Sequence, residues 1–214
     1  MLNKSLIFWN LKEATSKNYK KFYYDKTLER VNLFYKTFNK IDSETIINNQ
    51  KIPSLSDILN KINLEKISSG LSTNFHGDFH FENILFDKKK FYFLDWRQDF
   101  NGDVKKGDIY YDLAKLMHGL IVNHGIIHNN LYSVEWNGNN IDFDFHRKNS
   151  LTECEKYFNS WLHKQNFDIY KVYIITALIF LNISPLHHYP YSLLLYALGK
   201  KLLFEFVDHD TFSN

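Results

Sequence analysis

One stretch of 22 residues constrains this chain more than any other: FHGDFHFENILFDKKKFYFLDW, residues 75–96. It places His76, Asp78 and Asn83 in the spacing H-x-D-x-x-x-x-N and brings Asp95 in after two short apolar runs. Residues 84–86 and 91–94 read as the two strands of a hairpin, and Asp87, Lys88, Lys89 and Lys90 as the charged turn between them. The predicted order is loop, hairpin, acid. A chain with this signal must fold so that a polar loop and the end of a hairpin meet over one patch of surface.

Two other readings compete for these residues. Asp and Asn favour turns, so Asp78 and Asn83 could merely cap the loop. His76, Asp78 and His80 alternate, and on a strand they would share a face and suit zinc. Gly77 interrupts that strand and no fourth ligand is apparent.

The combination HGDFHFEN, then LDW, then GDIYYDLAKL at residues 107–116 resembles the aminoglycoside phosphotransferase and choline kinase family, small-molecule relatives of the protein kinases. The resemblance covers residues 75–120 well and the rest loosely. It implies an ATP-dependent (or other nucleoside triphosphate) and Mg²⁺-dependent phosphotransferase acting on a hydroxyl of an amino alcohol, a sugar or an aminoglycoside-like compound. It implies that Asp78 meets the attacking hydroxyl and accepts its proton, and that Asn83 and Asp95 hold Mg²⁺. His76 and Asp112 are expected in support, Asp112 bracing the catalytic loop by hydrogen bonds. One departure is Arg97, which stands where protein kinases have the Gly of their D-F-G. The alternative is a catalytically silent relative that binds a small molecule or a partner through the same fold.

The implied fold is α+β: the mostly helical large lobe of a kinase-like phosphotransferase with a few short β-hairpins. We expect a single domain over 1–214, with a helical linker region at 1–69, a catalytic core at 70–125, and a hairpin and helical part at 126–214. Residues 16–40 read as an amphipathic helix, 41–53 as a loop and 54–66 as a short helix. Asp108 suits the N-cap of a helix to residue 123. Residues 131–136 and 141–145 flank Asn137-Gly138 as a hairpin, Ser150 and Glu153 form a capping-box pattern, and Asp168 can cap the next helix. The last helix spans about 191–207, and His187 and His188 lie in the loop before it.

Gly70 is the first glycine in the sequence, so no Gly-rich phosphate loop of a small nucleotide-binding lobe precedes it. The expectation is half of a nucleotide site, completed by a separate N-terminal lobe or by self-association. An exposed apolar patch at Leu6, Ile7, Phe8 and Trp9 would serve that docking.

Composition narrows the partners. The net charge is +2, from 26 basic and 24 acidic residues, too balanced for a nucleic-acid surface. Cys154 is the only cysteine, which fits a reducing compartment, and no signal peptide or membrane span is expected; a cytoplasmic location follows. The longest apolar run, 172–183, falls short of a bilayer's thickness. Aromatic residues make up 17%, enough for a cage around a quaternary ammonium, but most will be core.

Overall fold

The computed structural model describes residues 1–210. The first helix, α1 (Leu2–Trp9), leads through a short 3₁₀ turn to β1 (Thr15–Asn18). A wide π-type turn (Lys21–Asp25) then runs straight into α2 (Lys26–Phe38). The predicted helix over 16–40 therefore starts late, because residues 15–18 are a strand. They carry no apolar stripe, and β4 (Ser69–Thr73) offers them a partner in the register Thr15↔Ser72.

The loop expected at 41–53 is also corrected. It holds β2 (Thr45–Ile47) and β3 (Gln50–Ile52), joined at Asn48 and Asn49 with φ of 47° and 64°. Two consecutive left-handed residues make the tight turn whose twist suits a hairpin, and Asn tolerates that conformation. Ile47 and Ile52 bury on one side. The helix expected over 54–66 is two: α3 (Leu55–Lys61), capped by Ser54, and α4 (Leu64–Ser68), capped by Asn63.

Helices organise the rest. β5 (Ile84–Phe86) and β6 (Phe91–Phe93) form the central hairpin. After β7 (Gly107–Asp108), Asp108 caps α5 (Ile109–Ile121) by accepting from the Tyr110 amide. Leu113, Leu116, Met117, Leu120 and Ile121 give α5 its buried stripe. α6 (His124–His128) leads to the hairpin of β8 (Tyr132–Asn137) and β9 (Asn140–Phe145), and β9 also pairs in parallel with β2. Three helices follow: α7 (Asn149–Lys164), α8 (Ile169–Ile183) and α9 (Tyr191–Asp210). The capping box at Ser150 and Glu153 is not formed. Helix α7 starts one residue early, its cap position is Lys148, and Glu153 instead pairs with Lys156 at 2.8 Å.

The architecture is α+β, with small sheets ordered β1-β4-β7, β3-β2-β9-β8 and β5-β6 set against the helices. Helix α8 is apolar on nearly every side because α5, α9 and α2 cover it. Residues Ile169–Leu186 are long and apolar enough to cross a membrane, longer than the run counted from sequence, and two-thirds of that span is buried in the protein.

The apolar patch expected at Leu6–Trp9 is absent. Trp9 is fully buried, Leu6 and Phe8 are half-buried, and only Ile7 is exposed. Phe8 packs edge-on against Trp96 at 4.9 Å, so α1 docks beside the central hairpin. A group of exposed apolar residues lies instead on that hairpin and just after it: Leu85, Phe86, Tyr92, Leu94 and Trp96.

Backbone closeness fixes Gly70. A Cβ there would lie 2.4 Å from the Asp108 carboxylate and 2.5 Å from the Tyr19 ring, where β1, β4 and β7 meet. Gly70→Ala should therefore destabilise the fold by about 2–3 kcal/mol through overpacking. Urea unfolding measures this, and an unchanged midpoint would show that the junction can relax.

Candidate active site

The site starts at helix α5. Its first-turn acid, Asp112, is fully buried and accepts three hydrogen bonds: from the His76 amide (2.8 Å), the Gly77 amide (2.7 Å) and the Trp9 indole (2.9 Å). Burial drives its pKa up to about 6, and those three donors limit the rise. Two consecutive amides of the loop are thus pinned to one carboxylate. Gly77 makes this possible with a φ of +82°; a Cβ there would also strike the Arg97 Cβ at 2.3 Å.

Pinned in this way, the loop presents Asp78. Its amide donates to His76 Nδ1 at 3.2 Å, which leaves the His76 proton on Nε2. His76 is buried beside Trp96 and Phe79, and burial lowers its pKa, so it stays neutral at neutral pH. It is a spacer in the loop.

The Asp78 carboxylate is held on both oxygens. Lys115 Nζ lies 2.6 Å from Oδ1; His80 Nε2 and Asn83 Nδ2 each lie 3.2 Å from Oδ2. Burial alone would raise the Asp78 pKa, but the bond to His80 and the charge of Lys115 outweigh it and hold the group well below the usual carboxylate range. His80 bridges Asp78 and Glu82, the latter at 2.7 Å. Those two acids push its pKa up to about 9, while the His80 bond draws Glu82 down to about 2. His80 is therefore an imidazolium at neutral pH.

Asn83 spends its amide nitrogen on the Asp78 carbonyl (3.0 Å) and carboxylate, which leaves its Oδ1 without a protein donor among the described residues. The Asn83 carbonyl accepts from the Leu94 amide at 2.8 Å, tying the loop to the end of β6. Asp95 follows at once, exposed and with a φ of +53°. The Arg97 amide then returns to the His76 carbonyl at 2.9 Å. Asp78 and Asp95 line the same cavity of about 600 Å³, roofed by α8. Asn83 stands behind Asp78 rather than on the cavity wall.

The donor set suits a hard cation. Asp95 offers a carboxylate to the cavity and Asn83 an uncommitted amide oxygen, and Mg²⁺ is held by few protein oxygens with phosphates and water completing its shell. The zinc reading fails: among the described residues no three His, Cys, Asp or Glu side chains gather as a metal site, and His76 is committed to the Asp78 amide.

Four cations in or beside this cavity escaped the sequence reading: Lys26, Arg30, Arg97 and Lys115. Lys115 carried a signal, since it lies three residues after Asp112 and so on the same face of a helix. Of the loop acids, Asp99 lines the cavity, whereas Asp103 pairs with Lys17 at 3.1 Å and caps the Lys105 and Lys106 amides.

A loop acid and a hairpin acid thus line one cavity, and the loop is braced from the following helix. Residues 57–130 match the family model described as the phosphotransferase enzyme family. Over those residues the chain is similar to that family, and the match bears out the resemblance carried by the motifs. Neither the curated proteins nor the solved structures contain a match to the chain. The matched stretch holds His76, Asp78, Asn83, Asp95, Asp112 and Lys115.

Two outcomes follow. Asp112→Ala strands three buried donors and should cost on the order of 3 kcal/mol or more, read by urea unfolding; Asp112→Asn keeps part of the bonding and should cost less. The Asp78–His80–Glu82 cluster should set two pH limits. The His80 pKa is raised above its ordinary 6.5, so its stabilisation is complete below pH 6.5 and fades as pH rises through about 9. The Glu82 pKa is lowered from 4.5, so its share is present above pH 4.5 and is lost as pH falls through about 2. NMR titration of His80 checks the first limit, and a midpoint near 6.5 would contradict the bridging geometry.

Proposed function

We propose that this chain transfers a phosphoryl group from a nucleoside triphosphate to a hydroxyl of a small molecule. The carrying observation is that Asp78 and Asp95, on a loop and a hairpin inside the family-matched stretch, line one cavity. Asp95 and the Oδ1 of Asn83 would hold Mg²⁺; when bound, the ion neutralises charge on the phosphates. Asp78 fixes the acceptor hydroxyl at the cavity wall. Its low pKa keeps it ionised at neutral pH, so it orients the hydroxyl first and takes the proton as the new bond forms. Lys115 and His80 hold its carboxylate in one orientation, which serves positioning. The acceptor enters beside α8, and water leaves as it fills the cavity.

Leu85, Phe86 and Tyr92 on the hairpin, and Leu94 and Trp96 on either side of Asp95 in the sequence, are exposed. We assign this surface to the element that covers the nucleotide, supplied by a separate lobe or a second copy. The single exposed Cys154 fits a reducing, cytoplasmic setting.

The test combines binding and turnover. Asp78→Asn should lower kcat by ~10²–10⁴ with little change in acceptor binding. Asp95→Ala should abolish Mg²⁺-dependent binding of nucleotide, and Asn83→Ala should raise the Mg²⁺ requirement. Asp78→Asn turning over at the wild-type rate would remove Asp78 from the mechanism. Acceptor binding with no turnover in any nucleotide, with or without a covering partner, would favour a silent relative.

A further inference from the structure

Part of the cavity wall is cationic. Lys26 and Arg30 stand one turn apart on α2 and so share a face. Arg97 reaches the same place from the end of the hairpin. Phe22 brings them together: the Lys26 ammonium lies 4.7 Å from its ring centre and the Arg97 guanidinium 5.4 Å. All three are half-buried and line the cavity that holds Asp78 and Asp95. Lys115 is the fourth cation there.

None of these three cations forms an ion pair among the described residues. Lys115 has its carboxylate in Asp78, at 2.6 Å. Among the described residues, no Asp or Glu oxygen lies within 4.0 Å of the charged nitrogens of Lys26, Arg30 or Arg97. Arg97 Nε donates to a backbone carbonyl, that of Asp99. The nearest wall acid, Asp99, turns its carboxylate to the Gly102 amide instead. Burial and the charges of Arg97 and Arg30 lower the Lys26 pKa, and the charges of Asp99 and Glu29 oppose that shift without overcoming it. Ile175, Leu178 and Ile179 of α8 line the same cavity. An apolar wall keeps the local dielectric low, and each unpaired cation then attracts an anion strongly. A cationic guest would meet these three like charges, and of the cavity's carboxylates Asp78 is already paired with Lys115 and Asp99 already accepts from the Gly102 amide.

Resting on the phosphoryl-transfer reading, the geometry points to an acceptor that is an anionic hydroxyl compound, with a carboxylate or phosphate held by Lys26, Arg30 and Arg97 and its aliphatic part against α8. Its hydroxyl faces Asp78 across the cavity. Amino alcohols and aminoglycosides are disfavoured. Of the three cations, Arg97 lies within the family-matched residues 57–130 and Lys26 and Arg30 precede them.

The test is calorimetric binding by the wild-type chain of gluconate, glycerate, glucose phosphate and glycerol phosphate, against neutral glucose and glycerol and cationic choline and kanamycin, first without nucleotide. The expected result is that at least one anionic compound binds tenfold or more tightly than its neutral counterpart. Lys26→Gln combined with Arg97→Gln should erase that tenfold preference, and Lys26→Arg with Arg97→Lys should largely keep it. Preference for the carboxylates over the phosphates, or the reverse, identifies which anion the site takes. Tighter binding of choline or kanamycin, or no anionic preference, would overturn the proposal. So would a Gln variant that weakens Mg-ATP as much as the anionic compound, because the cations would then serve the nucleotide. Asp95→Ala separates the two readings: anion binding persists in it if the acceptor pocket is right, even should phosphoryl transfer prove wrong.

Discussion

Everything that makes this surface a site depends on the carboxylate of Asp112. It is sequestered from water, and a lone buried carboxylate costs far more than one fold can carry. Its stabilisation comes from three N–H donors in distant parts of the sequence: Trp9 of α1 and the consecutive amides of His76 and Gly77. The bonds work in both directions. The loop amides would otherwise be buried donors without acceptors, and the carboxylate would otherwise be protonated. One interaction therefore shapes the loop, docks α1 and sets the direction of α5. Docking α1 in turn lays Phe8 against Trp96, so the segment after Asp95 is packed from the N-terminal side.

A second buried acid repeats the arrangement one turn earlier. Asp108 accepts from the Tyr23 hydroxyl at 2.7 Å, the Leu71 amide at 3.0 Å and the Tyr110 amide at 3.1 Å. It joins the three-stranded sheet to the start of α5 and to the turn that opens α2. Asp108 is the N-cap of α5 and Asp112, four residues on, lies in its first turn. The first fixes the helix to the scaffold and the second fixes the loop to the helix. Burial raises both pKa values, and hydrogen bonds offset the rise in each. The scaffold thus positions the loop through two desolvated charges, each satisfied by donors that only this fold brings together.

The sequence made some of this plain and hid the rest for physical reasons. The loop-hairpin-acid order was legible because residue types with strict turn and strand demands fall at short spacing. The stripe of α5 and the caps at Asp108 and Asp168 were legible for the same reason: the partners are three or four residues away. What failed was long-range. Residues 15–18 form a strand only because β4 supplies hydrogen bonds, and nothing within TSKN asks for one. The hairpin at 45–52 did carry a local signal, two consecutive Asn residues between Ile46-Ile47 and Ile52, which its polar surroundings masked. Trp9 looked like a surface anchor because its partner, Asp112, is 103 residues away. The cavity cations were illegible as a group, since α2 and the hairpin meet there only in three dimensions.

Arg97 shows how chemistry and selectivity share one piece of backbone. Its amide holds the His76 carbonyl, its Cβ fills the space that a side chain at position 77 would need, and its guanidinium faces the cavity. Two residues before it, Asp95 faces the same cavity. A shift of the hairpin that moved the carboxylate would move the guanidinium with it, and the contact at Gly77 would transmit the shift to Asp78. The carboxylate proposed to hold a metal, the one proposed to meet the hydroxyl and the cation proposed to meet the acceptor's charge are therefore tied to one another through the backbone bond from Arg97 to His76 and the close contact at Gly77. Under that proposal the seating of the acceptor's charge and the placing of its hydroxyl are coupled through the same stretch of backbone.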